Sequence, residues 1–86
     1  MLSNNRAVAV KAFKNHLLLI RFADGTEKIY NCHKLLQQKL YIELSDWSFF
    51  STVHIDEMGI ICWNDALDIR PDEAYDNSIP LNKLHF

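Results

Sequence analysis

The chain has 86 residues, 49% of them hydrophobic and 23% charged, with a formal net charge of -2. This composition describes one ordinary folded domain with a single modest core, and it excludes a disordered chain. The longest apolar run, Leu17 to Ile20, is far short of the ~20 residues a membrane span requires.

The chain opens on polar Ser3, Asn4, Asn5 and Arg6, without the apolar stretch of a secretion signal. Cys32 and Cys62 are two isolated cysteines, too few for a disulfide framework, so a cytoplasmic, reduced protein is expected. Ala7 to Phe13 reads as a first strand, Lys14-Asn15 as a turn and His16 to Phe22 as a second strand. Alternation sends Leu18, Ile20 and Phe22 to one face and Leu17, Leu19 and Arg21 to the other. Both faces are partly apolar, so the second must be covered by a helix, by the tail or by another chain. Asp24-Gly25 signals a hairpin because Gly accepts the positive φ of the turn. A two-residue turn pairs Ile20 with Ile29 and Leu19 with Tyr30, whereas a bulged turn pairs Arg21 with Glu27 and Ile20 with Lys28. Apolar matching favours the first.

Asn31 is placed to cap a short helix over residues 32–36, and Asp46 to cap a second helical turn carrying Trp47, Phe49 and Phe50. Residues 37–45 match no single pattern. Trp47, Phe49, Phe50 and Trp63 are expected in the core; a partner-binding patch is the alternative. Thr52 to Asp56 and Ile60 to Trp63 read as a second hairpin, with Asp56 and Gly59 at the first and fourth positions of a type I turn. That register puts Val53, Ile55, Ile61 and Trp63 on the core face and His54, Ile60 and Cys62 on the other. Pro71 suits the first position of a last helix, with Asp72 and Glu73 beside its N-terminal dipole. The fold expected is α+β: a small antiparallel sheet of about five strands in two hairpins, with two or three short helices. Residues 1–78 form the domain and 79–86 a tail in which Leu81, Leu84 and Phe86 are available for docking.

Residues 1–42 carry seven Lys/Arg against two Asp/Glu, net +5, while residues 43–86 carry two against nine, net -7. Interleaving of the halves would mix these charges; segregation would leave a dipolar molecule suited to a charged partner.

The order of Phe22-Ala23-Asp24-Gly25, Val53-His54-Ile55-Asp56, Gly59-Ile60-Ile61-Cys62-Trp63 and Asp68-Ile69-Arg70-Pro71-Asp72 with Tyr75 resembles the bacterial family DUF2442 over residues 6–76. Ala66 and Ala74 depart from it, standing where the family usually carries Gly and Leu. The resemblance implies a small α+β fold built on antiparallel strands. It also implies an arrangement similar to a toxin–antitoxin pair, in which some members are encoded beside another small protein. It brings no catalytic residues.

His54 and Cys62 are candidate cross-strand neighbours, and a Cys–His pair can activate a thiolate. Two ligands do not make a zinc site, so no metal and no cofactor is expected. Asp65, Asp68, Asp72, Glu73 and Asp76 cluster around the last turn and helix without the spacing of a calcium loop. The leading expectation is a non-enzymatic protein–protein interaction module, antitoxin-like, whose partner is a small protein or a second copy of the chain. Its contact surface would combine Leu17, Leu19, Asp65, Asp68, Asp72, Glu73 and Asp76. A dimeric DNA-binding autoregulator using Arg6, Lys11, Lys14, Arg21 and Lys28 is the alternative, with nucleic acid not favoured because the chain as a whole is mildly acidic. A small enzyme or ligand-binding domain with a Cys-based site is the third class.

Overall fold

The computed structural model describes residues 6–81. Its first three strands, β1 (Ala7–Phe13), β2 (Leu17–Phe22) and β3 (Glu27–Asn31), form an antiparallel meander. Short helical segments follow: 3-10 helices Cys32–Gln37 and Lys39–Ser45, then α1 (Trp47–Phe50). The two-residue strands β4 (His54–Ile55), β5 (Ile61–Cys62) and β6 (Asp68–Ile69) pair antiparallel as a second, smaller sheet. Helix α2 (Pro71–Asn77) leads to β7 (Ile79–Pro80), which joins β3 to complete the order β1-β2-β3-β7. The α+β class expected from sequence is what forms, as two sheets rather than one. Five strands match expectation, and β6 and β7 are added to them. The expected docking of Leu84 and Phe86 lies outside the described residues.

Alternation along β2 is realised as read: Leu18, Ile20 and Phe22 are buried, and Arg21 is exposed. Register against β3 is corrected. Leu18 pairs with Tyr30, Leu19 with Ile29, Ile20 with Lys28 and Arg21 with Glu27, which is the bulged alternative. The cause lies in the turn, where the Gly25 amide donates to the Phe22 carbonyl and the Phe22 amide donates to the Thr26 carbonyl, both at 2.9 Å. Gly25 sits at φ 90, the left-handed position of a type I turn closed by a glycine bulge. The Arg21 guanidinium then meets the Glu27 carboxylate at 3.0 Å.

Both expected helix caps are present, Asn31 accepting from the His33 amide at 2.8 Å and Asp46 from the Ser48 amide at 3.1 Å. The second hairpin also has its expected register, pairing His54 with Cys62 and Ile55 with Ile61. Its turn uses Gly59 at φ 80, with the Gly59 amide donating to the Asp56 carbonyl at 3.0 Å. After Trp63 the Asn64 side chain accepts from the Ala66 and Leu67 amides at 2.8 and 2.9 Å, which turns the chain into β6. The core lies between the sheets, where Leu18, Ile20, Phe22 and Tyr30 meet Phe50, Ile61, Trp63 and Ile69. A buried hydrogen bond from Trp63 Nε1 to the Phe50 carbonyl, 2.9 Å, ties α1 to the smaller sheet. Trp47 does not join this core. It stands 37% exposed, because α1 is a single turn that spends its buried position on Phe50.

The basic and acidic halves are not interleaved strand by strand. Residues 7–31 supply three strands of the larger sheet, while residues 54–77 supply the whole smaller sheet and α2.

The two left-handed glycines make unequal demands. A Cβ on Gly25 would meet open space, whereas one on Gly59 would lie 2.7 Å from Arg6 Cβ. Gly25→Ala is expected to cost about 1–2 kcal/mol from backbone strain alone, and Gly59→Ala distinctly more. Urea denaturation of the two variants measures the difference.

Candidate functional site

The face of the larger sheet turned away from the core is built by cross-strand rows. Phe13 stands beside Leu17 and Asn31; Lys11 beside Leu19, Ile29 and Ile79; Ala9 beside Arg21 and Glu27. The result is an apolar patch of Phe13, Leu17, Leu19, Ile29 and Ile79 with charged groups at one end. Ile79 is 51% exposed and Phe13 38%. No helix among the described residues packs on this side. Helix α2 lies over the other face, where the Tyr75 ring packs edge-on against Phe22 at 4.9 Å and sits 3.6 Å from Lys28 Nζ.

A depression lined by Ala9, Lys11, Leu19, Arg21 and Glu27 indents the outer face. Lys11 reaches over the Phe13 ring at 5.7 Å, and Lys14 over the Trp47 ring at 5.9 Å. The β1 side of the patch is thus edged by two lysines and two partly exposed aromatics.

The acidic residues predicted to share this surface are elsewhere. Asp65 follows β5, Asp68 starts β6, and Asp72, Glu73 and Asp76 are on α2; all five are exposed. The sheet therefore separates Leu17 and Leu19 from the acidic helix. Asp72 makes its only ion pair among the described residues with Arg70, 3.8 Å apart and largely solvated. The basic residues of the DNA-binding alternative are divided: Lys11, Lys14 and Arg21 lie about the outer face, and Lys28 and Arg6 do not. Arg21 is paired with Glu27, Lys28 donates to the Tyr75 carbonyl at 2.6 Å, and Arg6 packs on Gly59.

Of the two thiols, Cys32 is wholly buried, and burial pushes it up to about 12. Cys62 lies just under the surface, with Sγ 3.3 Å from His54 Nε2. Burial raises it too, followed by the nearby carboxylates of Asp56, Asp68 and Asp65. No group of three or more His, Cys, Asp or Glu side chains among the described residues is arranged to hold a metal ion. No helix among them is long and apolar enough to cross a membrane.

A family model described as Protein of unknown function (DUF2442) matches residues 7–80, from the first residue of β1 to the last of β7. The chain belongs to the DUF2442 family. No curated protein and no solved structure matches it. In this DUF2442 domain the motifs that carried the resemblance are turns and core strands, not a reactive constellation. Phe22 and Gly25 shape the first turn, Gly59 the second, Trp63 and Ile69 fill the core, and Tyr75 locks α2 down. Ala74, one of the two departures, is fully buried against the core, where its small side chain lets α2 approach closely.

Tyr30 and Cys32 make the fold sensitive to alkali. Burial raises both to about 12 from ordinary values of 10.0 and 9.0. Raised folded-state values favour the protonated, folded form, so the stability they confer is complete below pH 9 and is lost as pH climbs toward 12. Cys32→Ala is expected to flatten the fall between pH 9 and 10, the range in which the unfolded thiol ionises and the unfolded tyrosine mostly does not. Urea midpoints measured at pH 8, 9 and 10 for both proteins test this.

Proposed function

We propose that this DUF2442 domain is a non-enzymatic protein–protein interaction module that docks a small partner protein on the outer face of its larger sheet, as an antitoxin-like member of a two-protein system would. The observation that carries this reading is the apolar outer face, on which Phe13 and Ile79 are exposed and Leu17, Leu19 and Ile29 half-buried, with no helix among the described residues packed over it. A sheet that is apolar on both faces and covered on one leaves surface whose burial is favourable at about 25 cal/mol per Å².

Charge defines the partner's chemistry. Lys11 and Lys14 edge the patch, while Arg21 in its depression is already paired with Glu27, so the two lysines favour a complementary element of apolar side chains flanked by carboxylates. Four strands ~4.8 Å apart and a six-residue strand rising ~3.3 Å per residue give a face of about 380 Å². A standard interface buries ~800 Å² per partner, so the contact extends past β1 to Lys14 and Trp47. The acidic groups of residues 65–76 contribute the long-range field rather than the contact. None of the large apolar side chains that stand exposed among the described residues falls there.

The test is recovery of the tagged protein from its native cells as wild type, as Leu19→Glu, and as the double variant Asp72→Lys, Glu73→Lys. A single stoichiometric protein should accompany the wild type and the helix variant. It should be lost from Leu19→Glu, with affinity down on the order of 30-fold or more, while circular dichroism shows the fold intact. Retention by Leu19→Glu, or recovery of the chain by itself, refutes the reading.

A further inference from the structure

A second arrangement lies on the smaller sheet and plays no part in the docking face. Pairing of β4 and of β6 with β5 sets His54 and Asp68 on either side of Cys62, in one row across the sheet. Cys62 Sγ is 3.3 Å from His54 Nε2, and His54 Nδ1 is 3.1 Å from the Thr52 carbonyl oxygen. A carbonyl only accepts, so Nδ1 of the neutral ring carries the proton and Nε2 offers its lone pair to the thiol. Nucleophile, base and orienting acceptor thus follow one another in hydrogen-bond sequence. Cys62 is 8% exposed and its partner His54 is exposed, so the thiol lies one side chain below the solvent.

We propose that Cys62 is a thiol–disulfide exchange site in which His54 acts as the base, selective for small cationic disulfides over anionic ones. Sγ of Cys62 attacks one sulfur of the disulfide, forming a new S–S bond as the old one breaks. His54 Nε2 takes the thiol proton and returns it to the departing thiolate. The products are a mixed disulfide on Cys62 and one free small thiol; Cys62 is oxidised, and the small disulfide is the oxidant. The base matters because burial and the surrounding carboxylates leave little resting thiolate. Selectivity comes from the same carboxylates. Asp68 stands in the row itself, Asp56 opens the turn directly after β4, and Asp65 lies in the loop after β5. An approaching anion is repelled by all three, and a cation is attracted.

The experiment uses the full chain at neutral pH with cystamine, a dication, and separately with oxidised glutathione, an anion, and mass spectrometry locates the adduct over time. Cystamine is expected to modify Cys62 and leave Cys32 untouched, at a rate at least ~10-fold above that of oxidised glutathione. His54→Gln should slow the cystamine reaction at least ~10-fold, the low end for loss of a positioned base, with an unchanged circular dichroism spectrum. Asp68→Asn should narrow the gap between the two disulfides while Cys62 remains the modified residue. Modification of Cys32 first, a wild-type rate in His54→Gln, or oxidised glutathione reacting as fast as cystamine would each overturn the assignment.

Discussion

The five residues from Phe22 to Thr26 constrain most of what surrounds them. Their paired backbone hydrogen bonds and the left-handed Gly25 admit one register of β2 against β3, and a one-residue slip would turn every side chain of β3 to the opposite face. In the register adopted, Tyr30 joins Leu18 in the core, and Lys28 is set opposite Ile20 on the same side. A lysine there needs a place for its charge. It finds one by setting its ammonium against the Tyr75 ring and donating to the Tyr75 carbonyl, which pins α2 to the sheet. The Tyr75 hydroxyl then donates to Asp24 at 2.9 Å, returning to the turn where the chain of constraints began. The open outer face follows from this arrangement: α2 is held on the Lys28 side, and no helix among the described residues lies over Leu17 and Leu19.

Features encoded by neighbours a few residues apart were legible in the sequence. The alternation of β2, the Asn31 and Asp46 caps, the Asp56–Gly59 turn and the proline at the start of α2 each rest on local chemistry, and each is present. The turn after Phe22 shows where local reading fails. Matching Ile20 with Ile29 looks better side chain by side chain, but it ignores the glycine bulge and the Arg21–Glu27 pair that the other register allows. The strands β6 and β7, two residues each, have no pattern of their own and exist through pairing with distant partners. Residues 37–45 bury Leu44 while leaving Leu40 and Ile42 exposed, a spacing that neither helical nor strand periodicity would select.

The candidate sites divide along the same line. The Cys62–His54 neighbourhood followed from the hairpin register and could be read in advance; the orientation of the imidazole by Thr52 could not, because it depends on backbone geometry at the start of the strand. Alternation puts Leu17 and Leu19 on the second face of β2, and Pro71 starts the acidic helix, but neither signal says on which side of a sheet a helix will lie. That choice is made by Lys28 and Tyr75, residues whose types alone suggest nothing of the kind.

β7 is only Ile79–Pro80. A proline has no amide hydrogen to give, and a two-residue strand offers an incoming chain almost no template. At the opposite border β1 is irregular between Ala7 and Ala9, and its first residues are engaged by the smaller sheet through the Ala7 amide and the Gly59 carbonyl. Both rims of the sheet are therefore poor seeds for lateral growth into fibres. Blunt rims of this kind leave a sheet with an apolar broad side free of the edge-to-edge pairing that builds open-ended polymers.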